Sequence, residues 1–395
     1  MNILFIAPYV PSRIRVRPFH LIKELSKRHQ VTVIALGETD GRKVEGADEL
    51  PEIVADLHVV PHSKPRGYLQ SLIALPTPVP MCAAFCRSQA MKRAISEVMR
   101  QRKFDIVHIE HLRAAHFASM MGDVPVVFDS VDCLTSLFRQ MASEHRNPIS
   151  KLVMLEEAIK LSRYEPRVLR RFARVIITAE TERAELLAMN SDIRVDVIEN
   201  GVDTDYFAPR GAARCSKRII FSGKMGYHPN AQAAVWFAKE CFPTVRQKHP
   251  DAEFVIVGSG PSEDIMSLSA VPGITVTGYV PDIRPYLDSA QVAVVPMQVA
   301  VGIQNKVLEA MAMELPVVAT PIALRAFGDG CPGTVCAQGA EKVADEVISL
   351  LDTPEAAHDI GRLGRLEVIK RFSWESSVRS LEHIYEEVIA IGGNE

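Results

Sequence analysis

Residues 302–320 read GIQNKVLEAMAMELPVVAT. A glycine and three polar residues, Gln304, Asn305 and Lys306, open the stretch. VLEAMAM continues it as a strong helix former, Pro316 breaks it, and an apolar run closes it as a short strand. The order is loop, helix, strand. A helix beginning this way exposes unpaired backbone N–H groups at the positive end of its dipole, with a lysine in its first turn and a glycine that lets an anion approach the backbone. A phosphate is the natural guest. Glu309 follows Lys306 by about one helical turn, so the two side chains leave the helix on one face. A carboxylate beside a phosphate is electrostatically unfavourable unless it accepts hydrogen bonds from hydroxyls, and the sugar of a nucleotide offers two. The pattern suits a nucleoside diphosphate, and it equally suits an amphipathic helix whose Lys306 and Glu309 form a surface pair.

Outward from this stretch, apolar runs alternate with helix-like segments through the chain. Strands are expected at Asn2–Ala7, Gln30–Leu36, Val54–Val60, Ile106–Ile109, Val124–Phe128, Val175–Thr178 and Arg218–Ser222, and again in EFVIVGSGP (253–261) and VAVVPM (292–297). Helices are expected near Pro18–Lys27 and Ala231–Phe242. Such βαβ alternation implies parallel sheets with helices on both faces. A chain of 395 residues suits two domains rather than one. The Asn200–Gly201 turn signal, with the polar GAARCSK that follows, marks the boundary between them. The loop after the first strand, PYVPSRIRVRP, lies at the carboxyl edge where open α/β sheets bind ligands, and it carries Arg13, Arg15 and Arg17. It lacks GxGxxG, so a dinucleotide site is without its main support.

Composition narrows the function classes. Nearly half the residues are apolar (47%), enough for a core in each half, and a formal charge of −3 argues against nucleic acid as the main partner. Seven cysteines without CxxC or metal-ligand spacing fit buried thiols in a reducing compartment. MNILFIAPYVP is a short apolar run broken by prolines, without the basic lead of a secretory signal, and no segment has the length to cross a bilayer. A cytoplasmic protein is expected.

At VLEAMAMELPVVAT the sequence resembles the nucleotide-binding segment of retaining glycosyltransferases of the GT-B fold, family four. The resemblance implies that Glu309 binds the ribose hydroxyls and Lys306 the donor diphosphate. That family has a further glutamate seven residues before this one; Val301 stands there instead, and the backbone of Gly302, Ile303 and Gln304 is expected to take part of its work. SGKMGYHPN (222–230) matches the family's glycine and basic residue at Gly223 and Lys224, while Pro229 occupies the place of a second lysine. Lys224 and Lys306 are therefore the expected cationic pair. Gly258 and the loop of Gly278, Tyr279 and Val280 are expected beside the nucleotide and its base, read by backbone groups.

In the first half the resemblance is weaker. FDIVHIEH (104–111) aligns His108 with the first of two family histidines and puts Glu110 at the second, with His111 following. Strand neighbours point to opposite faces, so Glu110 and His111 aim together only if the strand has ended. Asp129 and Asp132, in VVFDSVD, are candidates to orient an acceptor hydroxyl or to cap the next helix, and Arg13 joins them on the acceptor side. Basic stretches at Arg87–Arg102 and in YEPRVLRRFAR (164–174) match surfaces that face anionic lipid in membrane-associated relatives, and each also reads as a solvated helix face.

The expected architecture is α/β, two Rossmann-like domains facing across a cleft in the GT-B fold: residues 1–205 on the acceptor side, 206–373 on the nucleotide-sugar side, and a C-terminal helix over 374–395 returning across the junction. The expected reaction is transfer of a sugar, with retention, from a UDP or GDP sugar to a glycan or lipid-linked hydroxyl, in surface polysaccharide or glycoconjugate assembly. Catalysis would rest on Lys224, Lys306, Glu110 and His111, with no metal demanded. The rival readings are a nucleotide-sugar epimerase on the same fold and a noncatalytic nucleotide-sugar-binding protein.

Overall fold

The computed structural model describes residues 1–12, 15–38, 49–144, 147–211, 215–300, 302–328 and 330–392. Arg13 and Val301 lie outside the described residues. The chain forms two compact units, one of Met1–Glu199 with Ser377–Glu395, the other of Asn200–Ser376.

The first unit is built on a seven-stranded sheet of β1 (Asn2–Ala7), β2 (Gln30–Glu38), β3 (Asp56–His62), β4 (Ile106–Glu110), β5 (Val126–Val131), β6 (Arg174–Ile177) and β7 (Val195–Val197). Its order is β3-β2-β1-β4-β5-β6-β7, and every pairing is parallel. Residues Ile3 through Ala7 are fully buried, as a central parallel strand covered by helices on both faces requires. β5 begins two residues later than the sequence suggests, because Pro125 has no N–H to give to the ladder. The last helix, Trp374–Gly392, sends Val378, Leu381, Tyr385 and Val388 into this unit's interior. It is held there by Arg28 and His29 on Glu382 and by Arg174 on Glu387.

The second unit carries six parallel strands: β8 (Arg218–Ser222), β9 (Glu253–Val257), β10 (Ile274–Gly278), β11 (Val292–Val295), β12 (Val317–Ala319) and β13 (Thr334–Cys336). Their order is β10-β9-β8-β11-β12-β13. The helix expected at Ala231–Phe242 is three pieces: a helix over His228–Trp236, a π turn over Phe237–Cys241, and a helix over Phe242–Lys248. Pro243 removes an N–H from the ladder, and the wider turn before it absorbs the loss. Each sheet reverses its strand order once, at β1/β4 in the first unit and at β8/β11 in the second. Open α/β sheets place their ligand crevices outside the carboxyl ends of the strands at such a reversal.

Candidate active site

In the second unit the carboxyl ends of β8 and β9 meet the start of the Asn305–Ala312 helix. Gly223 and Gly258 pass so close that a Cβ on Gly258 would lie 1.6 Å from the Gly223 carbonyl oxygen. Only a glycine fits there. Gly223 donates its N–H to Val257 at 3.0 Å, and Gly258 donates to the carbonyl of Gly278 at 3.2 Å. The loops after β8, β9 and β10 are thereby joined at backbone level. A Cβ on Gly223 would sit 3.3 Å from Cε of Lys306, so the glycine loop and the helix lysine adjoin.

The helix is capped by Gln304 without a side-chain capping bond, so the N–H groups of its first turn have no side-chain acceptor there. Ile303 and Gln304 are buried, and Gly302 has φ of 62°. Lys306 Nζ donates to Gln304 Oε1 at 3.0 Å. Burial lowers the Lys306 ammonium to about 8, against the opposing pull of Glu309, and burial raises the Glu309 carboxyl to about 7, against Lys306. Lys306 is thus a half-buried cation whose charge burial disfavours and Glu309 favours. Lys224 is exposed, as is Tyr279, while Val280 is half-buried. Sequence reasoning passed over Asn230. Its side chain is 5% exposed, Nδ2 donates to the Lys224 carbonyl at 3.0 Å and Oδ1 has no hydrogen-bond partner. The signal was present in Pro229, which starts the helix at His228 and turns the next residue inward.

In the first unit β4 ends at Glu110, and His111 takes a left-handed φ of 67°. The strand alternation therefore stops between them. Glu110 is 1% exposed; Oε1 accepts from the Tyr9 hydroxyl at 2.7 Å, and Oε2 is buried with no partner. Burial, reinforced by Asp129, pushes its carboxyl up to about 8. His111 is half-buried; its N–H donates to the Asp129 carbonyl at 2.7 Å, and its Nδ1 accepts from the Arg113 N–H. Burial, then Arg113 and Arg15, lowers its imidazole to about 3, so it is neutral.

Asp129 is fully buried. One oxygen takes the Arg17 Nε at 2.7 Å and the other the Val131 N–H at 3.0 Å, so both oxygens are engaged within the fold. Arg17 in turn reaches the Ile198 carbonyl, which gives the third arginine of the basic loop an internal role. Asp132 does not cap the next helix either: Glu165 accepts the Leu134 and Thr135 N–H groups instead. The Asp132 carboxyl is half-buried and raised to about 6 by burial, against Arg17. His108 is a core residue, stacked on Phe5 with Nδ1 2.7 Å from the Tyr385 hydroxyl. Val131, β-branched with φ of 65°, and His111 put two strained residues at neighbouring strand ends beside Glu110.

Two parallel-sheet Rossmann-like units, each with polar side chains gathered at a strand-order reversal, define the GT-B architecture. The family described as "Glycosyl transferases group 1" matches residues 216–353, and the "Glycosyl transferase 4-like domain" matches residues 14–201. The chain belongs to the group 1 glycosyltransferases, similar to family 4, and is a transferase enzyme.

Among curated relatives it is 27% identical to the MMP alpha-(1->4)-mannosyltransferase of Mycolicibacterium hassiacum, over 71% of this chain and 74% of that protein. It is 26% identical to the phosphatidyl-myo-inositol mannosyltransferase of Mycobacterium tuberculosis, over 55% of this chain and 60% of that protein. Among solved structures, a sucrose-phosphate synthase from Thermosynechococcus elongatus superposes with a TM-score of 0.70 at 16% identity, covering 99% of this chain and 100% of that one. The Anabaena protein HepE, in complex with UDP and glucose, superposes with a TM-score of 0.68 at 13% identity, covering 98% of this chain and 100% of that one.

Proposed function

We propose that this glycosyltransferase moves a sugar from a nucleoside diphosphate sugar to a hydroxyl of a glycan or lipid-linked acceptor, with retention at the anomeric carbon. The observation that carries the reading is the junction of Gly223, Gly258 and Lys306 at one strand-order reversal, with Glu309 one turn along the same helix. The diphosphate lies against the glycine loop and the helix N-terminus. Lys306 and Lys224 balance the charge that grows on it as the glycosidic bond breaks. Glu309 accepts hydrogen bonds from the ribose, and Gly302, Ile303 and Gln304 approach the sugar through their backbone. Tyr279 and Val280 flank the base through theirs. A double displacement needs a carboxylate on the far face of the ring. Front-face attack, with the departing diphosphate taking the acceptor's proton, needs none and is the preferred route.

On the acceptor side, Glu110 offers the uncommitted Oε2 to a sugar or acceptor hydroxyl, His111 stands beside it as a neutral donor or acceptor, and Asp132 and Arg13 orient the acceptor. The donor base is uracil or guanine. The HepE complex with UDP and glucose supports a uridine donor, and the mannosyltransferases among the relatives support a glycan or lipid acceptor. The place of action is a reducing compartment at the inner face of a membrane, in surface glycoconjugate assembly. All seven cysteines are free thiols, which fits such a compartment.

The test is a calorimetric panel of UDP, GDP, ADP and TDP, followed by donor turnover with and without acceptor glycans and anomer-resolved NMR of the product. One diphosphate binding, with affinity lost in Glu309→Ala and Lys306→Ala, and turnover that requires acceptor, supports the reading. Wild-type affinity in Glu309→Ala sinks the donor-site assignment, and turnover without acceptor favours the epimerase.

A further inference from the structure

The second unit holds a cavity that the proposed donor site does not use. Its volume is about 670 Å³, within the range of small-molecule sites, and it lies at the carboxyl ends of β11, β12 and β13. The loops after those strands supply Gln298, Thr320 and Gln338, and the helical run after β8 supplies Trp236 and Glu240. None of Gly223, Gly258, Lys306 and Glu309 lines it. β12 stands two strands from β8, so roughly 10 Å of sheet edge separates the two places at ordinary strand spacing.

Trp236 directly precedes the π turn over Phe237–Cys241, and Glu240 lies four residues further on, so the two side chains leave the run on one side. Single π turns are frequent at functional sites. The chain has two tryptophans; Trp374 is 3% exposed, whereas Trp236 is half-buried and forms cavity wall. Glu240 and Gln338 are exposed, and among the described residues neither side chain, nor the Trp236 N–H, has a hydrogen-bond or ion-pair partner. Gln298 gives Nε2 to the Pro296 carbonyl at 3.3 Å and keeps its amide oxygen. The Thr320 hydroxyl donates to the Met297 carbonyl at 2.6 Å, so its oxygen is left as an acceptor. Gly339 opens the Ala340–Asp352 helix without a side-chain cap, which adds backbone N–H donors at the cavity edge.

The wall is thus one aromatic plate, one carboxylate and two side-chain amides, and Glu240 is its one charged residue among the described residues. A phosphate or nucleotide would meet that carboxylate with no cation to offset it, and a purely apolar ligand would desolvate the amides without replacing their hydrogen bonds. A quaternary ammonium group calls for a cage of several aromatic rings, and one tryptophan does not make it. A neutral sugar suits every part: the C–H face of a pyranose lies on the indole, and its hydroxyls donate to the carboxylate and both donate to and accept from the amides.

We propose that this cavity is a glycan-binding subsite, which holds neutral pyranose units of a carbohydrate chain on Trp236 with their hydroxyls bonded to Glu240, Gln298 and Gln338. The proposal rests on the glycan-acceptor reading for its purpose, which is to keep a chain on the second unit and raise the effective concentration of its end. Binding itself needs neither donor nor transfer.

The experiment titrates the full chain, without donor, with maltohexaose, α-(1→4)-linked mannohexaose and cellohexaose, read by calorimetry and by tryptophan fluorescence. At least one hexasaccharide is expected to bind and to change the emission, the change being absent in Trp236→Phe, and UDP or GDP is expected not to displace it. Trp236→Ala is expected to lose about tenfold or more in affinity, while Trp236→Phe stays within about threefold of the parent. Glu240→Ala with Gln338→Ala is expected to lose roughly tenfold, the worth of two hydrogen bonds. Both of those positions are exposed, so the double variant tests the subsite even where Trp236→Ala disturbs the fold, and melting temperatures check each variant. Absence of binding by all three hexasaccharides overturns the proposal, as does binding that the double variant leaves unchanged. Binding abolished by UDP or by Lys306→Ala overturns it by moving the sugar to the donor site, and preference for choline or glucose 6-phosphate over every hexasaccharide overturns it by ligand class. Acceptor-dependent turnover is measured separately, so failure of the glycosyltransfer reading and failure of the subsite are distinguishable.

Discussion

At the residue scale, two groups carry charge states that burial has moved into the physiological range. Lys306, lowered to about 8, loses its proton as the pH rises through that value, while a bound diphosphate favours the protonated form. Affinity for the diphosphate is therefore expected to hold below about pH 8 and to weaken by up to about tenfold per unit above it. Calorimetry across that range decides it, and a flat profile would remove Lys306 from the donor site. Lys306→Ala is expected to weaken binding by roughly tenfold to a hundredfold, the range of a charge-assisted hydrogen bond.

Glu110 is the second group. Its folded pKa of about 8 stands above the ordinary carboxyl value of 4.5, so the fold prefers the neutral acid. That preference is fully available below about pH 4.5 and is lost as the pH rises through 8. Glu110→Gln should consequently raise the melting temperature relative to the parent at pH 8.5 and lose that advantage near pH 5, although it lowers turnover. Equal differences at both pH values would show that the carboxyl is ionised throughout.

At the element scale, the proposed donor site depends on how β8 and β9 end. The Gly258 backbone fills the space against the Gly223 carbonyl, and the Cβ of Gly258→Ala has nowhere to go without moving backbone. We expect Gly258→Ala to destabilise the second unit by about 2 to 3 kcal/mol, an overpacking cost, and to abolish diphosphate binding. Gly330, also at positive φ but facing open space, is the control: Gly330→Ala is expected to cost only the backbone term of about 1 to 2 kcal/mol and to leave binding intact. Denaturant titration and calorimetry on both variants separate close packing from conformational preference. The β4 end shows the same rule in another form, since the left-handed His111 stops the alternation that would have sent Glu110 and its neighbour to opposite faces.

At the scale of the whole molecule, the first unit is discontinuous in sequence, completed by Ser377–Glu395. Tyr385 is fully buried, and its hydroxyl meets His108 Nδ1 at 2.7 Å. Tyr385→Phe is expected to cost about 1 to 2 kcal/mol by leaving that nitrogen without a partner. Tyr385→Ala should cost about 3 to 5 kcal/mol by emptying the core beneath the last helix. Diphosphate binding, which the proposed donor site puts in the second unit, should survive Tyr385→Phe. Differential scanning calorimetry with and without the diphosphate reads both effects.

The helix start at Asn305, its lysine and glutamate one turn apart, and the buried parallel strands follow from short-range patterns, because periodicity and helix-start chemistry act over a few neighbouring residues. Tertiary structure alone decided the rest. It brought Tyr9 to Glu110, Arg17 to Asp129, Tyr385 to His108 and Gly258 to Gly223. It also gave Asp129 to an internal ion pair, and the cap of the helix starting at Leu134 to Glu165 rather than Asp132. These partners lie tens to hundreds of residues apart, where strand order and register determine which side chains meet and local sequence preference carries no information about the pairing.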